Sequence, residues 1–141
     1  TVNATDVLRT SIGYWNDADR QAFIACHTDD CEVSSPSATG RGHDGVAAFW
    51  TTTMGSVPDG RVTEVRLICE GDTVVEEARV RGTNTGPSYA PDGSEIPATG
   101  QTVDFRFAAV HTVRDGKIAA SRFYWDGLDV IRQLGLLPDP A

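Results

Sequence analysis

Two tight-turn signals in the second half of the chain, Gly71-Asp72 and Asp115-Gly116, each join two long runs rich in branched residues. A two-residue connection leaves the flanking runs no choice but to pair antiparallel. The runs are Val62 to Glu70 with Thr73 to Gly82, and Thr102 to Val113 with Lys117 to Trp125. This half of the chain is therefore expected to form a four-strand antiparallel meander. Between the two hairpins lies a long excursion, Thr83 to Gly100, rich in proline and glycine. Excursions of that length inside a compact domain are usually functional or mobile.

The first half reads differently. Asn3 can cap a helix whose inner face is Val7, Leu8, Ile12 and Trp15. Asn16-Asp17 ends it and opens a second helix running to about His27, with Ala22, Phe23 and Cys26 inward. Cys31 and Val33 alternate with polar neighbours, as in a short strand, and Ser34 to Gly42 is a loop. His43 or Asp44 starts a third helix with a stripe of Val46, Phe49, Trp50 and Met54. Gly127 to Leu136 forms a short closing helix. Helices first and strands afterwards indicate an α+β fold in one domain, residues 1–141. The expected architecture is a curved antiparallel sheet forming a cone, covered by the N-terminal helices, with a short C-terminal helix. The mouth of such a cone admits a small molecule.

Composition narrows the partners. Twelve Lys and Arg against twenty Asp and Glu give a net charge of −8. That balance argues against a nucleic acid or an anionic membrane as partner. Cys26, Cys31 and Cys69 make no disulfide framework, so a reducing, cytoplasmic setting is expected. The cluster Cys26, His27, Asp29, Asp30, Cys31 matches no zinc spacing, and neither a metal nor a cofactor is expected.

Several motifs carry a family resemblance. They are Arg81-Gly82-Thr83-Asn84-Thr85-Gly86, Pro97-Ala98-Thr99-Gly100-Gln101-Thr102-Val103, Arg114-Asp115-Gly116-Lys117-Ile118, Tyr124-Trp125-Asp126 and Gln133-Leu134-Gly135. Together with the element order they resemble the SnoaL-like polyketide cyclases, a branch of the nuclear-transport-factor-like α+β cone superfamily. The resemblance implies a cofactor-independent intramolecular aldol condensation on a small, apolar, aromatic polyketide-like substrate. It also implies a homodimer, because the open sheet face of this fold commonly pairs with another copy. One departure is Asn84, where family members often carry a histidine; an amide hydrogen-bonds but does not titrate. The fold alone hosts many reactions. A ketosteroid isomerase mechanism is subtracted, since Ser35 and Ala109 stand where its two acids would fall. An epoxide hydrolase would need Asp104 and Arg106 to point inward, and a hydroxylase or a non-catalytic ligand-binding or dimerisation domain could use the same cone.

Asp126 is the first candidate for catalysis. The resemblance implies that it is the general acid and base, taking a proton from carbon and returning it to the new alkoxide. Its position ahead of a helix, with Asp129 three residues on, also reads as an N-cap. His111 is the second candidate, sharing a strand face with Phe105, Phe107 and Ala109. An imidazole there could polarise a carbonyl or simply be a hydrogen-bonded wall residue. Tyr14, Trp15, Trp50, Asn84, Phe107 and Trp125 are the expected substrate contacts, although aromatics at helical spacing usually serve as core. Glu76, Glu77, Asp29 and Asp30 read most simply as solvated or turn residues.

Overall fold

The computed structural model describes residues 3–90 and 92–137. Asn3 caps α1 (Ala4–Asn16), its side-chain oxygen accepting from the Thr5 amide at 2.8 Å. Asp19, rather than Asn16 or Asp17, caps α2 (Arg20–Ala25), so that helix starts later than the sequence suggests. It also stops earlier, because His27 already begins strand β1 (His27–Ser34). The expected loop after it contains a short strand, β2 (Thr39–Arg41), and then α3 (Gly42–Thr53).

The meander follows: β3 (Arg61–Glu70), β4 (Thr73–Thr83), β7 (Thr102–Arg114) and β8 (Lys117–Tyr124). Asp115 and Gly116 both take positive φ, +53° and +76°, as a type I′ turn requires. The excursion is not bare loop; it carries a small hairpin, β5 (Ser88–Tyr89) with β6 (Glu95–Ile96). Helix α4 (Gly127–Gln133) closes the described chain.

The main sheet runs β2-β1-β8-β7-β4-β3. It departs from the all-antiparallel expectation at one place: β1 lies parallel to β8, with Val33 opposite Ser121. The inner face is set by alternation along the strands: Val74, Glu76 and Ala78 on β4, and Val103, Phe107, Ala109, His111 and Val113 on β7 are all buried. Helix α1 lays Val7 and Leu8 on Val74, Val113 and Ile118 at one end of this face. A second cluster of Phe23, Cys31, Val46, Trp50 and Met54 fills the space between α2, α3 and β1. At the other end Phe105, Phe123, Trp125 and Trp15 are half-buried against Val62, Ala78, Phe107 and Ala109. Among the described residues no helix is long and apolar enough to cross a membrane.

Candidate functional site

The half-buried aromatic end of the inner face is where apolar rings stay partly open to solvent. Phe123 comes from β8 and stacks on Phe49 of α3 at 4.8 Å between centroids, 21° between planes. Trp125, just past β8, packs at 6.1 Å from Phe105 and 6.5 Å from Phe123. Trp15 on α1 contacts Phe49 at 5.9 Å and Trp50 at 4.8 Å. Trp15, Phe123 and Trp125 are half-buried, and α1 ends at Asn16, just past Trp15. The Asn16 amide pins that end, exchanging hydrogen bonds with the backbone of Val62 at 2.8 and 2.9 Å.

The expected contact residues divide. Trp15 and Trp125 belong to the half-exposed wall. Trp50 and Phe107 are buried, packed into the clusters beneath it, and Tyr14 packs on the same cluster as Trp50. Asn84, expected to orient a substrate oxygen, is instead found with its amide bonded within the protein. It is 1 % exposed, and its amide is fully engaged. Nδ2 donates to Ser56 O, Ser56 Oγ and Gly86 O, while Oδ1 accepts from Thr99 N and Thr99 Oγ1, all between 2.7 and 3.1 Å. No polar atom is left for a ligand. Asn84 instead ties both ends of the excursion to the segment after α3.

His111 is likewise committed. It is 3 % exposed, as are Glu76 and Ser121. Its Nδ1 lies 2.7 Å from Ser121 Oγ and its Nε2 2.8 Å from Glu76 Oε1. The three residues stitch β4, β7 and β8 together across the inner face. Holding an acceptor carbonyl directly, as expected for His111, does not fit two occupied nitrogens. Glu76 corrects a second expectation: it is not solvated but buried. The signal was in the alternation, since Glu76 shares its strand face with Val74 and Ala78.

Asp126 follows Trp125 in the chain and is exposed. Its Oδ1 accepts from the Asp129 amide at 3.0 Å, the N-cap bond of α4. β8 ends at Tyr124, and past it Trp125 is half-buried while Asp126 is exposed. Asp104 and Arg106 lie on the outer face, where Asp104 makes a paired contact with Arg79 at 2.6 and 2.8 Å. That guanidinium holds the Asp104 carboxyl below the usual carboxylate range. The inward Asp-Arg set that epoxide chemistry needs is therefore not formed.

His27 lies near His111 and is a different kind of histidine. Its Nδ1 donates to Phe23 O at 2.9 Å, and burial pushes its pKa down to about 4. Among the described residues no three His, Cys, Asp or Glu side chains come together as metal ligands would.

Comparison with known proteins follows the same lines. No curated protein sequence matches the chain. Among solved structures, a candidate SnoaL-like polyketide cyclase from Jannaschia sp. CCS1 superposes with a TM-score of 0.82 at 24% identity, covering 96% of this chain and 93% of that one. A candidate polyketide cyclase from Pseudomonas putida KT2440 gives 0.82 at 22% identity, with 95% and 99% covered. AclR, a candidate hydroxylase from Streptomyces galilaeus, gives 0.77 at 20% identity, with 98% and 88% covered. Likeness at these identities establishes the fold. The sequence itself matches the SnoaL-like domain over residues 8–121, most of the chain, and the protein belongs to that family.

Proposed function

We propose that the protein is a cofactor-independent cyclase that closes a ring by intramolecular aldol condensation on a flat, largely apolar polyketide-type molecule. The substrate lies against Phe123, Trp125 and Trp15. Asp126 takes a proton from a carbon flanked by carbonyl groups, and the substrate's conjugation spreads the enolate charge. The enolate carbon attacks a second carbonyl of the same molecule, a carbon–carbon bond forms, and the resulting alkoxide takes the proton back from Asp126. Holding both reacting ends of one molecule in place supplies much of the acceleration.

The observation that carries this reading is the position of Asp126. It is an exposed carboxylate directly after Trp125 in the chain, and its cap bond uses only Oδ1. Candidate cyclases and a candidate hydroxylase among the structural neighbours agree with small-molecule chemistry on this fold. The cap bond also favours a second reading, a ligand-binding domain in which Asp126 only starts α4.

One substitution separates the two. Asparagine caps a helix as well as aspartate does but cannot take up a proton. Asp126→Asn is expected to keep the fold and ligand binding while ring closure falls by ~10²–10⁴-fold, the usual worth of a general acid–base. Turnover of a poly-β-ketone substrate, followed by absorbance of the aromatic product, measures it. Unchanged turnover in Asp126→Asn would remove Asp126 from the chemistry.

A further inference from the structure

Glu76 is the one buried carboxylate among the described residues, and nothing in the proposed reaction uses it. Its recorded hydrogen-bond partner is His111 Nε2. Nε2 is hydrogen-bonded to Glu76 Oε1 and Nδ1 to the Ser121 hydroxyl, and no buried side-chain polar atom is left unpaired among the described residues. The groups packed around it add little charge. Helix α1 covers this end with Val7, Leu8 and Ser11, and His27 on β1, its pKa pushed down to about 4, is neutral near pH 7.

Such a chain is a poor way to gain stability. Removing a carboxylate from water costs several kcal/mol, and apolar replacements of buried ion pairs are often neutral or stabilising. What the chain does instead is fix a ring. His111 meets Phe123 edge to face, with centroids 5.6 Å apart and planes at 84°. Phe123 also stacks on Phe49. Ser121, two residues before Phe123 on β8, anchors the same strand to His111.

We infer that Glu76 is a positioning residue: through His111 it sets the ring of Phe123, and with it the wall against which the substrate lies. The inference rests on the reading that this wall receives a flat apolar substrate, but its first test needs no substrate. With ¹³C-labelled phenylalanine, the Phe123 ring resonances are expected to shift or broaden in Glu76→Leu, which removes the acceptor for His111 Nε2, while those of Phe105 stay in place. Asp126→Asn is expected to leave Phe123 unmoved. Coincident Phe123 resonances in wild type and Glu76→Leu would overturn the inference.

The second test separates positioning from stability. The apolar variant Glu76→Leu/His111→Leu/Ser121→Ala is expected to melt no lower than wild type, yet to bind 1,8-dihydroxyanthraquinone at least tenfold more weakly, with Ser121→Ala alone about threefold weaker. Equal affinity at equal stability would make the chain purely structural. If the triple variant does not fold, Ser121→Ala and the Phe123 resonances decide the matter. A wild-type wall that fails to take up the dye while Phe123 still responds to Glu76 would sink the substrate reading and leave the positioning role standing.

Discussion

His27 makes stability depend on pH through one buried ring. Its folded pKa is near 4, against about 6.5 for the unfolded chain. Between those values the unfolded state binds a proton that the folded state refuses. Stability is therefore full above about pH 6.5 and is lost as pH falls towards 4, by up to about 3 kcal/mol. Below that window the contributions of Asp104 and Asp59 begin to fail as well, because each is held below the usual carboxylate range, the first by Arg79 and the second by the Thr83 amide. Urea unfolding at pH 7, 5.5 and 4.5 is expected to show the decline. The same series on His27→Leu is expected to be nearly flat over that range, from a lower starting point, since the bond to Phe23 O is gone. A wild-type slope that survives the substitution would move the effect to another group.

Among the elements, the excursion between β4 and β7 depends on one side chain. Asn84 joins Ser56, Gly86 and Thr99, and Gly86 approaches the segment after α3 so closely that a Cβ there would stand 1.8 Å from Gly55 O. Replacing Asn84 with Ala leaves several buried groups without partners and is expected to cost about 2–4 kcal/mol. Hydrogen exchange at Gly86 and Thr99 should accelerate well before that of β7; unchanged exchange would remove Asn84 as the latch. None of this pinning could be read from the sequence, because Ser56 and Thr99 lie 28 and 15 residues away. The parts that could be read are local. The hairpins, the Asn3 cap and the helix stripes follow from spacing and turn chemistry alone. The parallel join of β1 to β8 brings together strands about ninety residues apart in the chain, so no local pattern announces it. Glu76 lies between these cases. Alternation placed it inward, and only the partner on β7 explains how a carboxylate survives there. Asp126 was legible as a cap, with Asp129 three residues on, and the bond from the Asp129 amide is there.

The whole molecule has one covered sheet face and one open one. Helices α1 to α3 pack on the inner face, while the outer face carries exposed Ile68, Val75 and Tyr124. Ile68 sits opposite Val75, and Val75 opposite Val110, so three adjacent strands present an apolar row. Charged groups border that row: Glu77 opposite Ala108 in the next row, and beyond it Arg79 opposite Arg106. An apolar centre with a charged rim is the layout of a protein interface. A second copy of the chain supplies the same row, and a two-fold axis through Val75 would set apolar row against apolar row. A stable dimer needs roughly 800 Å² from each partner, which the strip alone does not provide, so much of the outer face must take part. Sedimentation at micromolar concentration is expected to give a dimer. Val75→Arg places a charge at the centre of both faces and is expected to give a folded monomer, since Val75 points away from the core and contributes little to it. The aromatic wall lies on the other side of the sheet, so the monomer should bind a flat ligand as the dimer does. A wild-type monomer, or a Val75→Arg dimer, would show that the open face is not where copies meet.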